Sequence, residues 1–235
     1  MRLSVILPVL NEARRIGSRL RELRAQDALH EIILVDGGST DGTLGEARES
    51  MRGFDGGAPV KIVHAPRGRA SQMNAGARTS EGDVLLFQHA DTVLPAEVVS
   101  HVRKTLSASQ VVAGAFRTWT VNDTDRPFPK ALLHLADLRS RYSGLPYGDQ
   151  ALFVRREVFF HVGGFPEQPL MEDLELARRL RCEGRVTTIA AYVQVSGRRF
   201  VARPVFYFTL MNVFPLLYRA GVSADRLGRL YGAIR

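Results

Sequence analysis

The chain has 235 residues, of which 45% are hydrophobic and 24% charged, with 21 glycines and 11 prolines. That composition supplies the core of a packed α/β domain and excludes a collagenous or broadly disordered chain. Thirty-two basic residues against 24 acidic ones give a formal net charge of +8, which favours phosphate-bearing partners without choosing among nucleic acid, anionic lipid and nucleotide.

Met1 and Arg2 lead directly into the strand-like run Leu3 to Leu7, which Pro8 and Asn11 end too early for a signal peptide. Cys182 is the single cysteine and has neither disulfide nor metal spacing, so the chain reads as cytoplasmic. Strands are predicted at Leu3 to Val9, Glu31 to Val35, Val60 to Val63 and Val84 to Gln88. Between the first two, Ala13, Ile16, Leu20 and Leu23 recur at helical spacing, predicting a helix from about Glu12 to Arg24. Thr43 to Met51 and Arg69 to Thr79 read as further helices, and Pro95 is placed in the first turn of a fourth that ends near Leu106. This alternation is the pattern of βαβ units around a mostly parallel sheet flanked by helices.

Val111 to Val121 reads as another strand, after which the regular alternation stops. Lys130 to Tyr142 is helical in pattern, Ala151 to Val154 strand-like, Asp173 to Glu183 an amphipathic helix and Val186 to Ile189 a short strand. No linker or repeat divides the chain, so one domain over 1–235 is expected, with a change of character after residue 121 and again after 203. Pro204 to Tyr218 is strongly apolar, but its fifteen residues include Asn212 and Pro215 and fall short of the roughly 20 needed to cross a bilayer. From Arg198 onward seven arginines face one acid, so this tail suits an anionic membrane surface, packing on the domain or a homodimer contact.

Acidic residues fall where ligands are met. Asp36 and Asp91 follow the hydrophobic runs Ile32 to Val35 and Val84 to Phe87, and open α/β sheets bind ligands at the carboxyl ends of their strands. The loop Asp36-Gly37-Gly38-Ser39-Thr40-Asp41-Gly42-Thr43 lets a ligand approach the main chain, with Asp41 suited to capping the next helix. A dehydrogenase would need a G-x-G-x-x-G turn after the first strand, where this chain has Pro8-Val9-Leu10-Asn11-Glu12. Nucleic-acid binding rests on charge alone, without an aromatic-basic platform or recognition helix.

The ordered set Ser4 to Glu12, Asp36 to Thr43, Ala70 to Ala77, the Asp91 segment and Glu172-Asp173 resembles inverting glycosyltransferases of family 2, with the GT-A fold. The resemblance covers most of the chain and is closest to short stand-alone bacterial members, some of them linked to arsenosugar biosynthesis. It implies a nucleotide-sugar half over 1–121, an acceptor half over 122–203 and basic amphipathic helices over 204–235. It also implies that Pro8, Asn11, Glu12 and Asp36 line the base and ribose pocket of a UDP- or GDP-type sugar, with Arg69 and the stretch carrying Asn74 closing over it.

The family's metal motif has two acids separated by one residue; here it is His89-Ala90-Asp91. Asp91, with His89 as a candidate second ligand, would hold Mg²⁺ or Mn²⁺. Asp173 is the implied general base beside Glu172, Asp149 and Gln150 would wall the sugar or acceptor site, and Arg198 or Arg199 would face the diphosphate. The reaction implied is metal-dependent sugar transfer to an acceptor hydroxyl. The readings kept beside it are transfer to a membrane lipid phosphate, suggested by the basic tail, and a catalytically weak nucleotide-sugar-binding protein, suggested by His89 in place of an acid.

Overall fold

The computed structural model describes residues 1–52, 56–142 and 144–234. The first half runs β1 (Leu3–Val9), α1 (Ala13–Arg24), β2 (Glu31–Asp36), α2 (Thr43–Met51), β3 (Val60–His64), α3 (Arg69–Thr79) and β4 (Val84–Phe87). A two-residue strand β5 (Thr92–Val93), α4 (Val98–Leu106) and the long β6 (Val111–Val121) follow. The second half holds α5 (Lys130–Tyr142), a 3-10 turn at Gly148–Gln150, β7 (Phe153–Arg155), α6 (Arg156–His161), α7 (Glu172–Glu183), β8 (Arg185–Ser196), α8 (Arg198–Ala202), α9 (Pro204–Arg219) and α10 (Ala224–Ile234).

All eight strands form one sheet in the order β3-β2-β1-β4-β7-β6-β8-β5. β1, β2, β3 and β4 are mutually parallel, β7 is antiparallel to β4 and β6, and β8 returns parallel to β6. Every residue of β1 and β2 is buried, because helices cover both faces of the sheet and alternate side chains feed opposite cores. Leu3, Val5, Leu7 and Val9 pack with Ile16, Leu20 and Val102 on one side. Ile6 packs with Met73, Phe159 and Leu176 on the other.

The chain winds outward from β1 to β3 and then returns to place β4 on the opposite side of β1, so a topological switch lies between β1 and β4. A crevice at the carboxyl ends of those strands is where such sheets bind ligands. Gln72 of α3 fixes this rim, its buried side-chain amide donating to the carbonyls of Val9 and Val35, both at 2.9 Å. Asn74 joins the halves: its amide donates to the Phe165 carbonyl at 2.8 Å and its oxygen accepts the Phe165 N–H at 2.9 Å.

The elements depart from expectation where local pattern is weak. The short strand expected at Val186 to Ile189 continues to Ser196. Its Ala190-Ala191 step has low strand propensity and coincides with a register shift, beyond which pairing with β6 resumes from Tyr192 to Ser196. Pro95 lies ahead of α4 rather than in its first turn, Gln88 falls just beyond β4, and β5, α6 and α8 are additional elements. The apolar stretch near the end is the helix α9, which with α10 packs through Phe214 and Leu227 onto Leu170. No helix among the described residues is long and apolar enough to cross a membrane.

Candidate active site

The loop after β1 and the loop after β2 hold each other at the crevice. Asp36 ends β2, and its buried carboxylate accepts the N–H groups of Gly38 at 3.1 Å and Ser39 at 3.2 Å. Asn11, in the left-handed conformation with φ 56, accepts the Thr40 N–H at 2.9 Å and donates its own N–H to the Ser39 hydroxyl at 3.0 Å. Asp41 receives the N–H groups of Ala13 and Thr43, both at 3.1 Å, tying the starts of α1 and α2. Pro8 is buried in β1 opposite Val35, so it shapes the floor beneath this loop pair.

Glu12 reaches across to the second half, where its carboxylate pairs with Arg198 at the start of α8 at 2.7 Å. Arg199 is exposed and lines a hollow of about 290 Å³ with Arg198, Arg203 and Phe206. A hollow of about 560 Å³ opens at the opposite, amino end of β4, around Met1 and Asp83. There Asp83 is already paired with Arg2, so size does not mark the site; the carboxyl ends of the strands do.

The acids of the second half converge with those of the first. Met171, a non-glycine residue at φ 65, turns the chain into α7 and sends Glu172 and Asp173 toward the crevice. Three of the four non-glycine residues with positive φ among those described are Asn11, Ala151 and Met171, each at or beside a candidate site residue; such conformations cost of order 1–3 kcal/mol and collect at functional sites. Glu172 is 1% exposed, and its carboxylate lies 3.0 Å from the Arg69 guanidinium, an ionic contact not aligned as a hydrogen bond. Asp173 accepts the Gly148 N–H at 3.1 Å. A Cβ at Gly148 would stand 2.3 Å from that carboxylate oxygen, so only glycine allows this approach. Gln150, two residues on, is buried, with its amide donating to the Phe116 carbonyl and its oxygen accepting the Tyr147 N–H.

The electrostatics bind these residues into one cluster. Burial, together with the neighbouring charges of Glu172 and Asp149, pushes the Asp173 carboxyl up to about 6 against the opposing pull of Arg69 and His89. Burial and then Arg69 lower the His89 imidazole, with Asp173, Asp91 and Asp149 resisting. Arg69 is raised chiefly by Glu172, with Asp173 and Asp91 adding to it. Asp91 and Asp173 therefore act on the same imidazole and the same guanidinium, although 81 residues of chain separate them. The β8 end closes the group, the Ser196 N–H donating to the Asp91 carbonyl at 3.0 Å.

The buried Nε2 of His89 has no hydrogen-bond partner, and a neutral imidazole is a ligand for borderline divalent cations. Asp91 adds one carboxylate, and Mg²⁺ or Mn²⁺ bound with a nucleotide needs only one or two from the protein. No cluster of three His, Cys, Asp or Glu side chains is present among the described residues, so the fit is for a cation completed by substrate oxygens. His64 is the residue the sequence reading missed: it ends β3 in register with Asp36, its imidazole 3.7 Å from that carboxylate. Reading the Val60 to Val63 run one residue further would have found it, since it occupies the same strand-end position as Asp36.

A parallel sheet with its crevice at the switch point, acids at the strand ends and an antiparallel extension carrying a further acid pair define a GT-A glycosyltransferase fold. The chain belongs to glycosyl transferase family 2, whose profile matches residues 4–165. Among similar proteins, an undecaprenyl-phosphate 4-deoxy-4-formamido-L-arabinose transferase of Pseudomonas syringae pv. syringae (strain B728a) is 28% identical over 156 residues, 65% of this chain and 46% of that protein. The uncharacterized glycosyltransferase YfnE of Bacillus subtilis (strain 168) is 32% identical over 108 residues, 44% of this chain and 26% of its own length. The match thus spans less than half the length of these curated relatives.

Among solved structures, mannosyltransferase PcManGT from Pyrobaculum calidifontis, in complex with GDP-Man and Mn²⁺, superposes with a TM-score of 0.65 at 25% identity, covering 82% of this chain and 56% of that one. S. aureus TarS 1-349 in complex with UDP-GlcNAc shares the fold with a TM-score of 0.64 at 20% identity, covering 83% and 58%.

The raised Asp173 carboxyl has a consequence for stability. The fold favours its protonated form, so this group's contribution is fully present below the ordinary value of 3.8 and is lost as pH rises through about 6. Urea denaturation over a pH series should find Asp173→Asn indistinguishable from the parent at the acid end and more stable than it above pH 6. Equal stability of the two proteins across the whole range would contradict the shift.

Proposed function

We propose that the protein transfers a sugar from a nucleoside diphosphate to an acceptor hydroxyl by single displacement, inverting the anomeric centre. The observation that carries this reading is Asp173, a half-buried carboxylate held near pH 6 in the same charge cluster as Asp91. At neutral pH such a group is ionised yet more basic than an ordinary aspartate, as a general base should be. Asp173 takes the proton of the acceptor hydroxyl while that oxygen bonds to the anomeric carbon. The bond from this carbon to the diphosphate oxygen breaks, and its electron pair leaves with the nucleoside diphosphate.

The strand ends would hold the donor. Asp36, fixed by Gly38 and Ser39, presents its remaining lone pairs to a ribose hydroxyl, with Pro8 and Asn11 beside it. Arg198, held by Glu12, and the exposed Arg199 would face the diphosphate, where guanidinium forks match phosphate oxygens. Glu172 orients Arg69, and Asn74 and Gln150 hold the loops around the sugar in place. A Mn²⁺ or Mg²⁺ ion held by Asp91 and His89 would neutralise charge on the departing diphosphate. PcManGT with GDP-Man and TarS with UDP-GlcNAc support a GDP- or UDP-type donor.

A membrane-borne acceptor is the second reading, and α9 favours it. Val205 is 80% and Leu216 61% exposed on an outer face that also carries Phe208 and Val213, while Arg203, Arg219, Arg226 and Arg229 are exposed around it. Apolar side chains rimmed by arginine suit an anionic bilayer surface. The same hairpin packs on Leu170, two residues before Glu172, so a lipid entering there would arrive beside Asp173. The relatives named for undecaprenyl phosphate support this direction.

The two acceptors differ in their need for a base, because a phosphate oxygen is already ionised. Asp173→Asn should preserve nucleotide-sugar binding and lower transfer to a hydroxyl by roughly 10²- to 10⁴-fold. Turnover near that of the parent would remove Asp173 as base and leave the phosphate acceptor standing. Co-sedimentation with phosphatidylglycerol vesicles tests the surface. The parent should pellet with anionic but not neutral vesicles, and Leu216→Asp should remain in solution; equal pelleting of parent and variant would rule out docking through α9.

A further inference from the structure

Beyond the residues paired with β7, β6 continues beside β8, with Arg117 paired to Tyr192 and Trp119 to Gln194, and the short β5 closes the far edge of β8 at Gln194 and Val195. Residues paired across a ladder share a face, and this one looks outward: Trp119 is 47% exposed and Tyr192 39%, whereas Thr118, Thr120 and Val193 on the other face are buried. The Trp119 indole rests against the His134 ring of α5, centroids 4.1 Å apart, and meets the Tyr192 ring edge-on at 6.1 Å. An aromatic surface of this kind is usually covered or used.

The polar groups around it select the ligand. Arg141 donates to the Tyr192 hydroxyl at 3.2 Å and, with Arg117, which pairs with Tyr192 across the ladder, holds that phenol below its ordinary value, so two guanidiniums act on one phenol. Neither forms an ion pair with a carboxylate among the described residues, and the buried Nε of Arg117 has no hydrogen-bond partner. Asp137, an acid on the same helix as Arg141, is engaged by His134 at 2.9 Å and by the N–H and hydroxyl of Thr120 at 3.0 and 2.7 Å. Two guanidiniums without a counter-charge form a site for phosphate or carboxylate oxygens, and the indole beside them offers a flat apolar face.

The platform is near the reaction centre. Tyr192 lies four residues before Ser196, whose N–H holds the Asp91 carbonyl, a span of about 13 Å along a strand. Arg141 lies in the last turn of α5, seven residues before Gly148, the donor to Asp173. We propose that this face binds the acceptor as a saccharide carrying a phosphate or carboxylate, its ring against Trp119 and its anion between Arg117 and Arg141. The acceptor role rests on the transfer reading above; the binding does not.

Trp119 is the single tryptophan of the chain, so its fluorescence reports occupancy directly. The full-length protein is titrated with glucose 6-phosphate, glucuronate, glucose and inorganic phosphate. A saturable change is expected with both anionic sugars, with glucose and inorganic phosphate each at least roughly tenfold weaker, and with a similar loss for the anionic sugars in Arg141→Gln. Tyr192→Phe, which removes one hydroxyl and keeps the ring, should also weaken them, and because the titration reads binding without turnover its result stands whether or not transfer occurs. No saturable change with either anionic sugar, equal binding of glucose or of phosphate alone, or parent-like binding by both Arg141→Gln and Tyr192→Phe would overturn the proposal.

Discussion

A buried carboxylate with one counter-charge governs the chemistry available to this protein. Glu172 is almost wholly removed from water, and the only charge partner it has among the described residues is Arg69, 3.0 Å away. Removing one member of such a pair leaves an uncompensated buried charge, which is strongly destabilising. Glu172 and Asp173 are adjacent at the start of α7; burial raises the Asp173 carboxyl first, the negative charge of Glu172 adds to it, and Arg69 restrains the rise. The outcome is a carboxylate near 6, between a fully ionised surface acid and a permanently protonated buried one. Its basicity comes from burial and the like charge of Glu172, held in check by Arg69.

The same contact joins distant parts of the chain. Arg69 opens α3 in the first half, and Glu172 opens α7 in the other. Glu12 to Arg198, Asn74 to Phe165 and Ser196 to Asp91 repeat the connection at the rim. Because one sheet runs through both halves, these links position side chains on a rigid frame, and the cluster of Arg69, His89, Asp91, Asp149, Glu172 and Asp173 follows from it. The hairpin of α9 and α10 leans on Leu170 at the edge of that cluster, which connects its outward apolar face to the chemistry within.

Legibility in the sequence followed burial. β1 and β2 are covered on both faces, so their uninterrupted apolar runs announced strands, and Asp36 following such a run announced an acid at a strand end. β8 was read too short because its second half is exposed on one face and begins with two alanines; pairing with β6, supplied by distant sequence, extends it. His64 was missed by a single residue of strand length. Asn74 and Gln150 mark the limit of reading residue types, since an amide that holds a loop and one that holds a sugar look alike until the Phe165 and Phe116 backbones are found beside them. The partnership of Arg69 with Glu172 joins residues 103 positions apart, and no local pattern encodes it. The Trp119 platform was invisible for the same reason, being assembled from β6, β8 and α5.

The central claim is that burial and the like charge of Glu172 together hold Asp173 at a base-like value, and a direct measurement is the titration of the Asp173 carboxyl by carbon NMR in the parent and in Glu172→Gln. The parent should titrate near 6, and the variant lower, because the like charge is gone and Arg69 then acts on Asp173 unopposed. A parent value in the ordinary aspartate range, or a midpoint unmoved by Glu172→Gln, would contradict it.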